Sequence, residues 1–194
     1  CSSDLWFAHA LGDLGGLDVL VNNAGISGPT ARIDDIEPQQ WDETLAVNLR
    51  SQYLCVRRAL PALRASPRAS IINISSVAGR MGYPLRTPYA ASKWAVIGLT
   101  QSLALELGSD DITVNAILPG IVDSERTRAV TASKAHARQV SEEQMLDEIL
   151  SKVALRRAVP AADVAEVALF LASPAGRSVT GQSLNVCAGI QSLC

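Results

Sequence analysis

No two cysteines in the sequence are spaced to grip a metal or form a redox pair. The four stand at positions 1, 55, 187 and 194, and the two histidines, His9 and His136, lie far apart, so no metal site is expected. Cys55 and Cys187 sit in apolar stretches and are expected as buried reduced thiols; Cys1 and Cys194 are terminal and could pair. Charge of one sign is also missing, since 17 Lys and Arg against 19 Asp and Glu give a formal charge of −2. That leaves no basic field for a phosphate backbone, and nucleic acid is excluded as an expected partner. No apolar run approaches the ~18 residues of a membrane span, and Cys1-Ser2-Ser3-Asp4 lacks the charged start and apolar centre of a signal peptide. No membrane association is expected, and the cytoplasm is the expected location. Internal repeats are absent too.

What is present is a chain of 194 residues, 48% hydrophobic, long enough to bury a core without staples and read as one domain over 1–194. Helical periodicity alternates with short β-branched runs. Residues 4–15 read as a helix, 17–23 as a strand ending at Ala24-Gly25, and 41–63 as a helix with Pro61 in its last part. Residues 70–76 form a strand too apolar to face water on either side, and a loop over 77–88 leads to the clearest helix, 89–107, closed by Gly108. Residues 112–118 are a strand ended by Pro119-Gly120, 161–172 a short helix and 183–187 a last strand. Four strands and about five helices in this order predict an α/β fold, a right-handed doubly wound parallel sheet of the Rossmann type. The segment 123–159 looks inserted and is a candidate lid. Its charges, Arg126, Arg128, Lys134, Arg138 and Lys152 among several acids, read as a solvated helical face.

In such a sheet ligands bind beyond the carboxyl ends of the strands, where the chain places Asn23-Ala24-Gly25, Ser75-Ser76 and Pro119-Gly120. Tyr89 and Lys93 are one helical turn apart and leave the same face, so an ammonium can approach a phenol and favour phenolate. The spacing alone is common by chance and reads equally as a surface pair. Ser76 adds weight because it ends a buried strand at the edge the next helix must approach, although a turn-forming hydroxyl explains it as well.

Taken together, Asn22-Asn23-Ala24-Gly25, Val47-Asn48-Leu49, Ile74-Ser75-Ser76, Tyr89-Ala90-Ala91-Ser92-Lys93 and Pro119-Gly120 resemble the short-chain dehydrogenase/reductase family, in order and with its spacing, over about residues 4–190. The resemblance implies an oxidoreductase that interconverts a secondary alcohol and a ketone with NAD or NADP. It implies a catalytic Asn48, Ser76, Tyr89 and Lys93: Tyr89 as proton donor and acceptor, Ser76 binding the substrate oxygen, Lys93 binding the nicotinamide ribose and acidifying Tyr89, and Asn48 holding a water. Ser75, on the other face of its strand, is expected to be structural. Asn23, Ala24 and Gly25 would line the cofactor cleft, and Pro119, Gly120 and Val122 would lie beside the nicotinamide amide. Ser124 stands where the family has threonine. Met145 and Leu146 would cover a small-molecule alcohol or ketone, and homo-oligomers, dimers or tetramers, would form through helices 41–63 and 89–107.

The sequence departs from the family in two respects. Cys187 replaces a common aspartate, and the family's opening strand, glycine-rich turn and helix have no counterpart, since Gly12 and Gly15-Gly16 end a helix before a strand. The strand at 17–23 is then expected to form an open edge of an N-terminally truncated domain. Two readings follow: a fragment of a nicotinamide-dependent oxidoreductase, or a non-catalytic scaffold or dimerising fragment that inherited its tetrad. A serine hydrolase is excluded for want of a Gly-x-Ser-x-Gly elbow.

Overall fold

Four β-branched segments pair in parallel in the computed structural model, which describes residues 2–190: β1 (Val19–Asn22), β2 (Ser70–Ile74), β3 (Thr113–Pro119) and β4 (Ser183–Val186), in the spatial order β1-β2-β3-β4. The register sets Leu20 beside Ile71, Ile71 beside Val114 and Ile117 beside Leu184. Helices α1 (Ser2–Leu14), α2 (Pro38–Leu45), α3 (Ser51–Ala65), α4 (Thr87–Leu107), α5 (Glu125–Arg138), α6 (Glu142–Ser151) and α7 (Ala161–Ala172) make up the rest. A pairing of Cys1 with Cys194 lies outside the described residues. Cys187 is buried, whereas Cys55 is only half-buried.

Side-chain spacing decides which face each helix buries. Gln52, Val56, Ala59 and Leu63 recur along one stripe of α3, and Ser92, Val96, Thr100, Ala104 and Leu107 along one stripe of α4. These stripes cover the sheet face that carries Ile71 and Val114, while Leu171 and the apolar side of α7 cover Ile72 and Ile117 on the opposite face. Each fully buried Ile or Leu contributes roughly 2 kcal/mol. The strand order advances in one direction, yet α7 lies on the face opposite α3 and α4. The connection from β3 to β4 therefore has the opposite hand to the two before it, which corrects the expectation of a uniformly right-handed winding. The rule governs short crossovers, and this connection first makes the long excursion through α5 and α6. That excursion is closed at its base by a parallel bridge between Val122 and Val159, with the Val159 amide donating to the Ile121 carbonyl at 2.7 Å.

Buried polar residues fix the register. Asn22 Nδ2 donates to Asn73 Oδ1 (2.8 Å), Asn73 Nδ2 to Thr100 Oγ1 (2.9 Å), and Thr100 Oγ1 to the Val96 carbonyl, a line running from β1 through β2 into α4. Asn115 likewise holds the approach to β4 through Val179 and Gln182. β1 ends the sheet, and Val21 on it is 47% exposed.

The long helix expected over 41–63 is α2 and α3 joined by a π-helical turn, Ala46–Arg50, which contains Asn48. A capping box between Glu37 and Gln40, with Pro38 in the first turn, starts α2 three residues early. Pro88 starts α4 at Thr87 rather than at Tyr89 in the same way.

Candidate active site

The carboxyl end of β2 meets the first turns of α4. Ser75 Oγ donates to the Lys93 carbonyl at 2.8 Å and is buried, so it ties strand to helix as expected for the structural serine. Ser76 caps the short turn Val77–Gly79 by accepting from the Ala78 amide (3.2 Å), and its side chain shares a cavity wall with Tyr89. The turn can lean on α4 only because of Gly79. A Cβ there would lie 2.6 Å from the Lys93 carbonyl oxygen and 2.9 Å from Ser75 Oγ.

Lys93 is 5% exposed; its Nζ donates to the Ile74 carbonyl at 2.9 Å and lies 5.7 Å from the centre of the Tyr89 ring. Burial, with Arg126 adding to it, lowers the lysine from its ordinary 10.5 to about 8. Burial pushes the Tyr89 phenol up; the Ser76 hydrogen bond, Arg86 and Arg126 pull it back, and Tyr83 opposes them. The Lys93 ammonium is turned to the carbonyl at the strand end.

Asn48 is fully buried and its side chain is committed. Its Oδ1 accepts from the Ile26 amide (2.7 Å), and Nδ2 donates to the Ile26 carbonyl (3.0 Å) and to Ser92 Oγ (3.1 Å). Both amide hydrogens are spent, so this side chain fixes the loop after β1 against α4. Asn23 and Ala24 are exposed beyond the end of β1. Pro119 ends β3, and Gly120 lines the main cavity. Val122 is bound in the bridge to Val159. Ser124 caps α5, accepting from the Thr127 amide and donating to Thr127 Oγ1, so its hydroxyl is engaged within the helix start.

The residues present fit the nicotinamide-ribose end of a dinucleotide. Gly25 leaves open a recess that any Cβ would fill, 3.1 Å from Asn48 Oδ1 and 3.7 Å from Lys93 Nζ. Arg126 reaches from α5 across this cleft to the Gly25 carbonyl (Nη2 to O, 2.8 Å). Beside it opens a cavity of about 640 Å³ with Ser76 and Tyr89 in its wall.

Arg126, Lys134, Arg138 and Lys152 border this cavity, and Arg126, Arg138 and Lys152 are exposed, as expected of a solvated face. Arg138 and Lys152 share Glu148 at 2.7 and 3.0 Å, and Lys134 lies 3.9 Å from the centre of the Tyr83 ring. Of the expected charges Arg128 alone turns elsewhere, to Asp123. Met145 is buried in the cavity wall, but Leu146 is 40% exposed and covers nothing there. Sequence reasoning missed Gly79, Arg86 and Arg126. A signal existed for Arg86, which carries the only charge in the loop 81–88.

A family profile described as enoyl-(acyl carrier protein) reductase matches residues 2–191. The chain belongs to the short-chain dehydrogenase/reductase family. A Streptomyces violaceoruber protein assigned to the granaticin polyketide synthase as ketoacyl reductase 1 is 40% identical over 187 residues, 95% of this chain and 68% of that protein. The 3-oxoacyl-(acyl-carrier-protein) reductase FabG of Staphylococcus aureus is 36% identical over 182 residues, 94% of this chain and 69% of its own length. A crystal structure of an actinorhodin polyketide ketoreductase variant with NADPH superposes with a TM-score of 0.90 at 34% identity, covering 96% of this chain and 72% of the other. This short-chain dehydrogenase/reductase is an oxidoreductase of the alcohol–ketone class, with a cofactor of the nicotinamide dinucleotide type. Among the described residues no helix is long and apolar enough to cross a membrane.

Proposed function

We propose that the enzyme reduces the ketone of a 3-oxoacyl-type substrate to a secondary alcohol with NADPH. The observation that carries this reading is the meeting of Ser76 and Tyr89 in one wall of the cavity, with Lys93 and the Gly25 recess beside them. The names of the granaticin and Staphylococcus aureus relatives support the substrate class, and the NADPH in the actinorhodin structure supports the cofactor form. A bound nicotinamide supplies the hydride, and every other task falls to the protein. Tyr89 holds the proton at its phenol oxygen and releases it to the substrate oxygen as charge develops there. Ser76 donates a hydrogen bond to that same oxygen and orients the phenol. Lys93 takes the ribose hydroxyls, Asn48 anchors the loop that shapes the recess, and Asn23, Ala24, Pro119, Gly120, Val122 and Ser124 border the cofactor.

On this reading α5 and α6, within 123–159, form the lid over the substrate. The cations that line it outnumber Glu148, which suits an anionic carrier arm on the substrate. Leu105, Trp94 and Tyr53, 87%, 52% and 48% exposed on α3 and α4, supply an apolar face for a homo-oligomer. The test is consumption of reduced cofactor in the presence of a 3-oxoacyl thioester, with NADPH and NADH compared. Tyr89→Phe is expected to remove turnover while leaving cofactor affinity by fluorescence titration nearly unchanged. Cofactor binding without turnover of any linear or cyclic ketone overturns the proposal.

A further inference from the structure

Arg86 stands three residues before Tyr89, lines the cavity, and is 2% exposed. Leu85, just before it, holds φ at 64°, a left-handed conformation that leucine adopts only under constraint, so the loop sets this arginine at the head of α4 against backbone strain. Its guanidinium packs 4.9 Å from the centre of the Tyr89 ring and 5.8 Å from that of Tyr83. Nη2 donates to the Ser27 carbonyl at 2.5 Å, and the buried Nε has no partner. Lys134 reaches the same Tyr83 ring from α5, its Nζ 3.9 Å from the centre. Two cations thus converge on one ring in the cavity wall.

Among the described residues lining the cavity Glu148 is the one carboxylate, and it is taken by Arg138 and Lys152. No carboxylate among the described residues pairs with Arg86 or Lys134. A buried cation without a counterion is costly, and burial accordingly lowers the Arg86 guanidinium from its ordinary value. It stays charged all the same, because that ordinary value is so high. The cavity therefore holds a fixed positive charge that the protein leaves unneutralised, and the negative partner is left for a ligand to bring.

We infer that the enzyme also reduces free 3-oxo acids, and that Arg86 with Lys134 holds their carboxylate. The guanidinium fork matches a planar carboxylate. Its depth decides where the charge comes from. Arg138 and Lys152 are exposed, as suits a carrier arm arriving from solvent, whereas Arg86 is buried against the ring of Tyr89 itself. An anion held there belongs to a group close to the reacting ketone, and in a 3-oxo acid a single methylene separates the two. Val77, Met81, Ile121, Val153 and Ile190 form one apolar cluster in the same cavity, which suits the hydrocarbon chain. In the step itself the ketone carbon gains the hydride that reduced nicotinamide supplies. The Tyr89 O–H bond breaks as a new O–H bond forms on the substrate oxygen, water later returns a proton to the phenolate, and the carboxylate is untouched. The product is a 3-hydroxy acid.

The inference rests on Ser76 and Tyr89 as the ketone-reducing pair, and the experiment keeps the two apart. NADPH consumption is followed with 3-oxohexanoate and with its methyl ester, which share a skeleton and differ in charge. The parent is expected to favour the acid by about tenfold or more in kcat/KM. Arg86→Met should lower the acid-to-ester ratio by about 10²-fold and Lys134→Met by about tenfold, the ratio cancelling any loss common to both substrates. A smaller preference in the parent, or one that Arg86→Met leaves in place, overturns the carboxylate site and leaves ketone reduction standing. No turnover of the acid, the ester or a 3-oxoacyl thioester overturns the reading beneath it. Should Arg86→Met fail to fold, the parent decides through hexanoate and hexanamide as inhibitors of ester reduction. Hexanoate is expected to compete with the ester about tenfold more strongly than hexanamide, and equal inhibition overturns the proposal.

Discussion

Lys93→Met should make the enzyme more stable while destroying its function. The ammonium is almost wholly buried, and its pKa falls from 10.5 to about 8. The folded state therefore binds this proton more weakly than the unfolded state does. Below pH 8 both states carry the proton and the whole penalty is in force: the difference 10.5 − 8 is 2.5, or about 3 kcal/mol at ~1.4 kcal/mol each. Between pH 8 and 10.5 the folded state loses the proton first and stability rises; above 10.5 the penalty is gone. Methionine keeps the apolar stem but loses the bond from Nζ to the Ile74 carbonyl, which costs about 1 kcal/mol. The variant should be about 2 kcal/mol more stable than the parent at neutral pH, and about 1 kcal/mol less stable once the lysine is neutral in both states. Urea unfolding without cofactor, at about pH 7 and at the highest pH the fold tolerates, measures both differences. A variant less stable at neutral pH, or a difference that does not change with pH, refutes the reasoning. Confirmation would make Lys93 a residue kept for chemistry at the expense of the fold.

Ser76→Ala removes the hydroxyl that meets the Tyr89 phenol, and kcat should fall by about 10²–10³-fold, with KM changing much less, in steady-state kinetics with a 3-oxoacyl thioester. The same substitution removes the cap on the Ala78 amide, so a loss of about 1 kcal/mol in urea unfolding should accompany it. Gly79→Ala drives a Cβ to within 2.6 Å of the Lys93 carbonyl, a backbone atom that cannot step aside, and should cost about 1–3 kcal/mol. An unchanged melting temperature in Gly79→Ala would mean that the turn does not rest on α4 as described.

The strands and the helix faces were legible because their signals are local. Val19 to Asn22, Ser70 to Ile74 and Thr113 to Pro119 are β-branched runs bounded by turn residues, and the stripe from Ser92 to Leu107 repeats at helical spacing. Helix starts were read late wherever a proline in the first turn extended them, at Pro38 and at Pro88. The π-turn at Asn48 left no periodic trace, since one shifted hydrogen-bond ring alters too few positions to break an apolar pattern. The hand of the last crossover was illegible for a different reason. Local sequence sets strands and helices, whereas the face on which α7 lands depends on the path through α5 and α6.

The site divides along the same line. Ser76, Tyr89 and Lys93 could be named from spacing and resemblance, because strand end and helix turn bring them together by construction. Their electrostatics could not, because charge at a site is a sum over whatever folds against it. Arg126 and Lys134 arrive from α5, and Arg86 precedes Tyr89 by three residues at the end of a strained loop, so none stands at the place the Tyr-x-x-x-Lys spacing names. A Tyr-x-x-x-Lys spacing therefore says where a phenol and an ammonium stand, but not which charge governs the phenol.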